Sequence, residues 1–173
     1  MFLRPISLSL ALLLTTGPVL AQTAPTPPAV TQTEPRETIE GTLSQDRTII
    51  AVPALATASV QNVAGLRTDS LGRQIAEVIA ADLERSGLYD PMGPSGIPTV
   101  SRAEVQAPRF AEWQARNAEN VVHGFVDAGS NGSLVVGCYL YDTALGSELV
   151  RKGFEIQPGD WRRAAHKCAD AIY

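Results

Sequence analysis

The chain has 173 residues and a formal net charge of −4, with 45% hydrophobic and 6% aromatic residues. That length supports one hydrophobic core without needing disulfides to fold. No basic cluster exceeds a pair of arginines, so nucleic-acid binding has no electrostatic basis, and the few aromatics offer no stacking surface for single strands.

The first residues read as a leader. MFLRPISLSLALLLTTGPVLAQ carries one early positive charge, Arg4, then an apolar run from Ile6 to Leu14 and the small-residue ending Val19-Leu20-Ala21. This is the pattern of a secretory signal peptide over residues 1–21, with cleavage expected after Ala21. The competing use, a membrane anchor, needs a longer apolar run, and no later segment is long and apolar enough to span a membrane. No cysteine follows the cleavage position, which excludes lipid attachment there. Residues 22–37 are rich in Pro and Thr and poor in large apolar side chains, so they read as a flexible arm.

The domain is expected over residues 38–173. TIEGTL (38–43) reads as a short strand, and TIIAVP (48–53), apolar on both faces, as a strand buried inside a mixed sheet and ended by Pro53. In TDSLGRQIAEVIAADLERSGLYDP, Leu71, Ile75, Val78, Ile79 and Leu83 recur at helical spacing. Asp69 or Ser70 is the expected N-cap, Gly87 the left-handed stop with Leu88 packing back, and Pro91 the barrier to resumption. Residues 93–108 read as a loop with room for a short strand, and APRFAEWQARNA as a short helix turning Phe110 and Trp113 inward. VVHGFVD, LVVGCYLYD and SELVRKGFEI follow as three strands, the first two joined at Asn131-Gly132, and QPGD leads into a closing helix from Trp161. The fold class is α+β (mixed α/β), a small mixed sheet with two to three helices packed on it.

The polar residues do not assemble a reaction centre. His166 and Cys168 sit two apart on a helix, about 200° around its axis, so they cannot share a metal or a proton. Cys168 is in line with Ala164 and Ile172 and faces inward; Cys138 alternates with Leu134, Val136 and Leu140 on one strand face. A Cys138–Cys168 disulfide fits an oxidising compartment, and two buried free thiols are the alternative. His123 lies on a strand without a converging ligand set, so no metal site is expected. AGSNGSLVVG precedes a strand and lacks the Lys-Ser/Thr of a phosphate loop; no G-x-S-x-G and no C-x-x-C occurs. Asp82 and Glu84 read as a solvated helix face, and Asp142 as a turn residue. The expectation is a chain with no catalytic residues, no metal and no cofactor. A small exported hydrolase or redox protein of similar α/β fold is the alternative, and it needs a nucleophile or ligand cluster that these residues do not supply.

RTIIAVPAL, IAEVIAADLERSGLYDP, FAEWQARNAENVVHGFV, VGCYLYD and DWRRAAHKCADAIY occur in that order. Together they closely resemble the N-terminal domain of the TolB family, periplasmic proteins of the Tol–Pal system, over about residues 37–173. The resemblance implies a non-catalytic α/β module in the periplasm, followed by a six-bladed β-propeller that binds the lipoprotein Pal. It also implies an N-terminal segment that binds the C-terminal domain of TolA, in a system that keeps the outer membrane attached and helps it constrict at division. Carried over by position, that segment falls on Glu37, Thr38, Ile39, Glu40, Gly41, Thr42 and Leu43. Such a segment can add as a strand to a partner's sheet edge or stay paired as an edge strand of its own sheet. The sequence departs from the family in two respects. The arm is longer and richer in proline, and no propeller is present: Tyr173 falls inside a helix with no Gly or Pro stop, so the closing helix is expected to be cut short.

Overall fold

The computed structural model describes residues 46–173. The leader (1–21), the arm (22–37), the strand expected at 38–43 and the candidate segment Glu37–Leu43 lie outside the described residues. Within them, the elements run β1 (Thr48–Ala51), β2 (Asn62–Val63), β3 (Leu66–Arg67), α1 (Thr68–Ser86), β4 (Tyr89–Met92), α2 (Phe110–Gln114), β5 (Asn120–Ala128), β6 (Leu134–Asp142), β7 (Ser147–Ile156) and α3 (Trp161–Ile172).

One five-stranded sheet carries the fold, in the order β4-β1-β5-β6-β7, and β2 and β3 form a separate two-stranded ribbon. β1 is parallel to both neighbours, β4 from Thr48↔Tyr89 to Ala51↔Met92 and β5 at Ile50↔Asn120 and Ala51↔Val121. β5, β6 and β7 form an antiparallel meander. The TIIAVP run is apolar throughout because both of its faces are covered: Ile50 and Val52 join the core beneath α1 and α3, while Ala51 joins a second core on the opposite face.

α1 and α3 cover one face. Leu71, Ile75, Ile79 and Leu83 are fully buried there with Val122, Val136, Cys138 and Leu140, and Val78 is partly buried against them. The other face is covered by the 93–118 connection, which carries Ile97, Val100, Val105, Phe110 and Trp113 onto Val121, Tyr139 and Tyr141. Cys138 on β6 and Cys168 on α3 are joined as a disulfide, Cα–Cα 6.1 Å, tying the closing helix to the sheet.

Several local expectations are corrected. α1 begins at Thr68 with neither Asp69 nor Ser70 as N-cap. Thr68 is buried, and its Oγ1 accepts the Gln61 N–H at 3.1 Å, so the β2–β3 ribbon delivers the chain directly into the helix. Asp69 lies in the first turn instead, where its hydrogen bond from Arg67, and then one from the Ser70 N–H, hold its carboxyl down at about 2. Gly87 stops α1 with φ +76°, but Leu88 is 45% exposed rather than packed back. No strand forms within 93–108; the unforeseen β4 lies just before it at Tyr89–Met92, with Pro91 on the sheet edge where a missing N–H is tolerated. The turn between β5 and β6 is as expected: Asn131 and Gly132 both take positive φ, 57° and +74°, within Ser130–Gly132.

Gly72 sets how closely α1 approaches the sheet. The Leu55 N–H donates to the Gly72 carbonyl at 3.1 Å, and a Cβ at Gly72 would lie 2.2 Å from the Leu55 carbonyl oxygen. Gly72→Ala is therefore expected to destabilise the fold by about 1–3 kcal/mol, although the same change in a free helix gains about 1 kcal/mol. A urea midpoint that rises in this variant would contradict the close approach. Replacing both cysteines with alanine is expected to lower stability by about 3–4 kcal/mol in the chain-entropy account of a 30-residue separation. Chemical denaturation of the oxidised protein and of the double variant measures that difference.

Candidate functional site

The two histidines are placed apart and used differently. His166 is exposed on α3, while Cys168 on the same helix is buried in the disulfide, so the pair does not form a dyad. His123, on β5, is 1% exposed beneath the second core. Its Nδ1 lies 3.1 Å from the Glu104 carbonyl, and its ring meets Trp113 and Tyr141 edge-on at centroid distances of 5.9 and 5.8 Å. A protonated Nδ1 donates to that carbonyl, which leaves Nε2 as a buried atom with no hydrogen-bond partner. Burial pushes the imidazole pKa below its usual value, and burial with the nearby Glu148 charge pushes the Tyr141 phenol up to about 12. The Tyr141 hydroxyl donates to the Val105 carbonyl at 3.0 Å. These groups clamp the 104–105 backbone to the sheet; a buried imidazole whose Nδ1 is committed to a backbone carbonyl is built for packing rather than proton transfer.

A second polar group, absent from the sequence reading, lies between α1 and α3. His166 Nδ1 meets Asp82 Oδ2 at 2.5 Å, and Asp82 Oδ1 meets an Arg85 guanidinium nitrogen at 2.8 Å. The Asp82 side chain is only 18% exposed, so it is a seam residue and not part of a freely solvated face. Its position next to Leu83 and three residues after Ile79 was the available signal, since it borders the buried stripe. The adjoining cleft of about 440 Å³ also includes Ser86 and Asp170. Ser86 Oγ donates to the Leu83 carbonyl at 2.6 Å and accepts the Leu88 N–H at 3.2 Å, which commits it to the helix end rather than to His166. No group of three or more His, Cys, Asp or Glu among the described residues is arranged to hold a metal ion.

A third cluster fastens loops to the end of β5. Asp127 accepts from Arg102 Nε at 2.9 Å and from the Ala58 N–H at 2.7 Å, while the Arg102 guanidinium lies 3.6 Å from the Phe125 ring centroid. The first and third clusters fasten covering segments to the sheet, and the second ties α1 to α3. No described helix is long and apolar enough to cross a membrane. What remains open to partners is the outer surface and the edges of the sheet.

Comparison with known proteins gives this frame its context. The TolB amino-terminal domain family matches residues 38–149. The Tol-Pal system protein TolB of Sphingopyxis alaskensis is 82% identical over 173 residues, which is 100% of this chain and 38% of that protein. Tol-Pal system protein TolB 1 of Novosphingobium aromaticivorans is 47% identical over 162 residues, 87% of this chain and 36% of that protein. The chain thus spans less than two fifths of the length of these curated relatives. The crystal structure of TolB from Acinetobacter baumannii aligns with a TM-score of 0.55 at 21% identity, covering 73% of this chain and 27% of that one, a likeness of fold.

The lowered pKa of His123 has a definite consequence for stability. Its folded value lies below that of the unfolded chain, so between the two the unfolded state binds more protons, and stability falls as pH falls. The contribution is complete above the ordinary imidazole value of about 6.5 and is lost below it. Urea unfolding at about pH 7 and pH 5 is expected to show a smaller loss in His123→Phe than in the parent. Parallel losses in both proteins would remove His123 as the source.

Proposed function

The chain belongs to the TolB amino-terminal domain family, and on that premise we propose that it is a non-catalytic interaction module of the Tol–Pal system in the periplasm. The observation that carries this reading is the family match, which begins at residue 38 and runs through most of the described fold. The 82% identity to a Tol-Pal system protein TolB across every residue of the chain supports it. The leader at residues 1–21, cut after Ala21, delivers the module across the inner membrane.

In this reading Glu37, Thr38, Ile39, Glu40, Gly41, Thr42 and Leu43 bind the C-terminal domain of TolA. The segment follows a proline-rich arm in the sequence, and its Ile39 and Leu43 supply apolar side chains to an added strand. Pal is engaged by the propeller that the family carries after this domain, outside these 173 residues. Through those contacts the module contributes to outer-membrane integrity and to constriction at division.

Calorimetric titration of the TolA C-terminal domain into the chain, and into a form lacking residues 22–43, tests the assignment. The deletion is expected to weaken binding by about tenfold or more, a loss of roughly 1.4 kcal/mol at least. Equal affinity for the two forms would take the segment out of the interface. Pal is expected not to bind these 173 residues alone.

A further inference from the structure

Among the described residues, His123 alone keeps a buried side-chain polar atom without a hydrogen-bond partner. Its Nδ1 is committed to the Glu104 carbonyl, so a proton arriving at Nε2 makes an imidazolium whose new N–H has nothing to bond to. That is a costly arrangement in a closed core. The charged and titratable groups facing the ring are already engaged. From the 104–106 turn, the Glu104 carboxylate accepts the Ser101 N–H at 2.8 Å and pairs with Arg109, and the bonds from Ser101 hold its pKa below the usual value. At the start of α2, Arg109 also meets Glu112 at 3.2 Å. From β6, the Tyr141 hydroxyl donates to the Val105 carbonyl, and the Tyr139 hydroxyl accepts from Gln106 at 3.1 Å. On β7, Arg151 and Glu148 pair with each other at 2.7 Å. Burial outweighs the pull of these groups on the imidazole.

The roof over His123 is also the less regular of the two covers. Among the described residues, no hydrogen bond between the 93–118 connection and the sheet joins backbone to backbone. Each has a side chain at one end or both: Arg102 to Asp127, His123 to Glu104, Tyr141 to Val105, Gln106 to Tyr139, Gln114 to Thr143 and Thr143 to Ala118. Three of these six lie at residues 104–106, directly on the histidine and its neighbours on β6. The opposite cover is two helices with a disulfide to the sheet. A segment attached by isolated side-chain bonds opens at lower free energy than helices packed on the main core. Lifting it brings water to Nε2 without disturbing α1 or α3.

We propose that His123 is an acid-operated latch: protonation at Nε2 releases residues 101–118 from the sheet while the face carrying α1 and α3 stays folded. The open form binds one proton more than the closed form, so its population rises as pH falls below the ordinary imidazole value of about 6.5. Opening uncovers the face of the sheet that carries Val121, Tyr139 and Tyr141, an apolar surface hidden at neutral pH. The latch goes beyond the pH dependence of global stability, because it assigns the response to one cover. It uses none of residues 37–43 and does not depend on the contact with TolA proposed above.

The test is amide hydrogen exchange on the whole oxidised chain at about pH 7 and pH 5, corrected for the intrinsic pH dependence of exchange. Protection across residues 101–118 is expected to fall by about tenfold at the lower pH, with α1 between Leu71 and Leu83 changing far less. His123→Phe, which has no proton to gain, is expected to lose that response, and His166→Gln, which alters the α1–α3 seam instead, to keep it. Should His123→Phe fail to fold, ¹⁵N resonances of the imidazole in the parent chain decide the matter, with Nε2 expected to take its proton in step with the loss of protection at 101–118. The latch is overturned if the cover keeps its protection at pH 5, or if α1 and the cover lose protection together. It is equally overturned if His123→Phe responds as the parent does, or if Nε2 is protonated while 101–118 stays protected.

Discussion

Strand β1 has hydrogen-bonded neighbours on both sides and buried side chains on both faces, and this double enclosure dictates what the rest of the chain must do. A sheet with an apolar strand at its heart needs a cover on each face. On one face the cover is regular: α1 and α3 pack across the strands, and Gly72 lets the backbone at Leu55 rest against α1. On the other face no long helix is available. The 93–118 connection does the work there with single anchors, chiefly Val105 and Trp113, both essentially inaccessible to solvent.

An irregular cover leaves backbone groups that must find partners. This accounts for where the interior polar side chains are. Tyr141 satisfies the carbonyl of Val105, His123 that of Glu104, and Thr143 that of Ala118. Asp127 meets the Ala58 N–H and Arg102, and Asp82 joins α1 to His166 of α3. The disulfide adds a covalent tie between the closing helix and the sheet. The polar chemistry of the described residues is therefore spent on seams, and recognition is left to edges and outer faces.

Those surfaces are where an interaction module differs from an enzyme of the same architecture. A reaction site needs side chains converging on a point, whereas strand addition needs only an unpaired edge with selective neighbours. Among the described residues the sheet ends on one side with the ten-residue β7 and on the other with the short, proline-bearing β4. The match to the TolB amino-terminal domain family runs over residues 38–149 and so takes in most of this sheet.

The sequence by itself determined the elements whose pattern is local. α1 was legible from the spacing of Leu71, Ile75, Ile79 and Leu83 and from the Gly87 stop, and the β5–β7 meander from its apolar runs and its turn residues. The family was legible from five stretches in fixed order. The tertiary structure alone decided the features that join residues far apart in the chain. Asp82 and His166 are separated by 84 residues, and only the crossing of α1 and α3 brings them to 2.5 Å. The start of α1 at Thr68 follows from a ribbon that docks before it, not from the cap residues that local preference favours. β4 was missed because four residues containing a proline carry little periodic signal and become a strand only through pairing with β1. Periodicity and turn chemistry are properties of neighbouring residues and can be read in one dimension; which faces meet, and which polar groups they trap, is settled only when the sheet and its two covers close on each other.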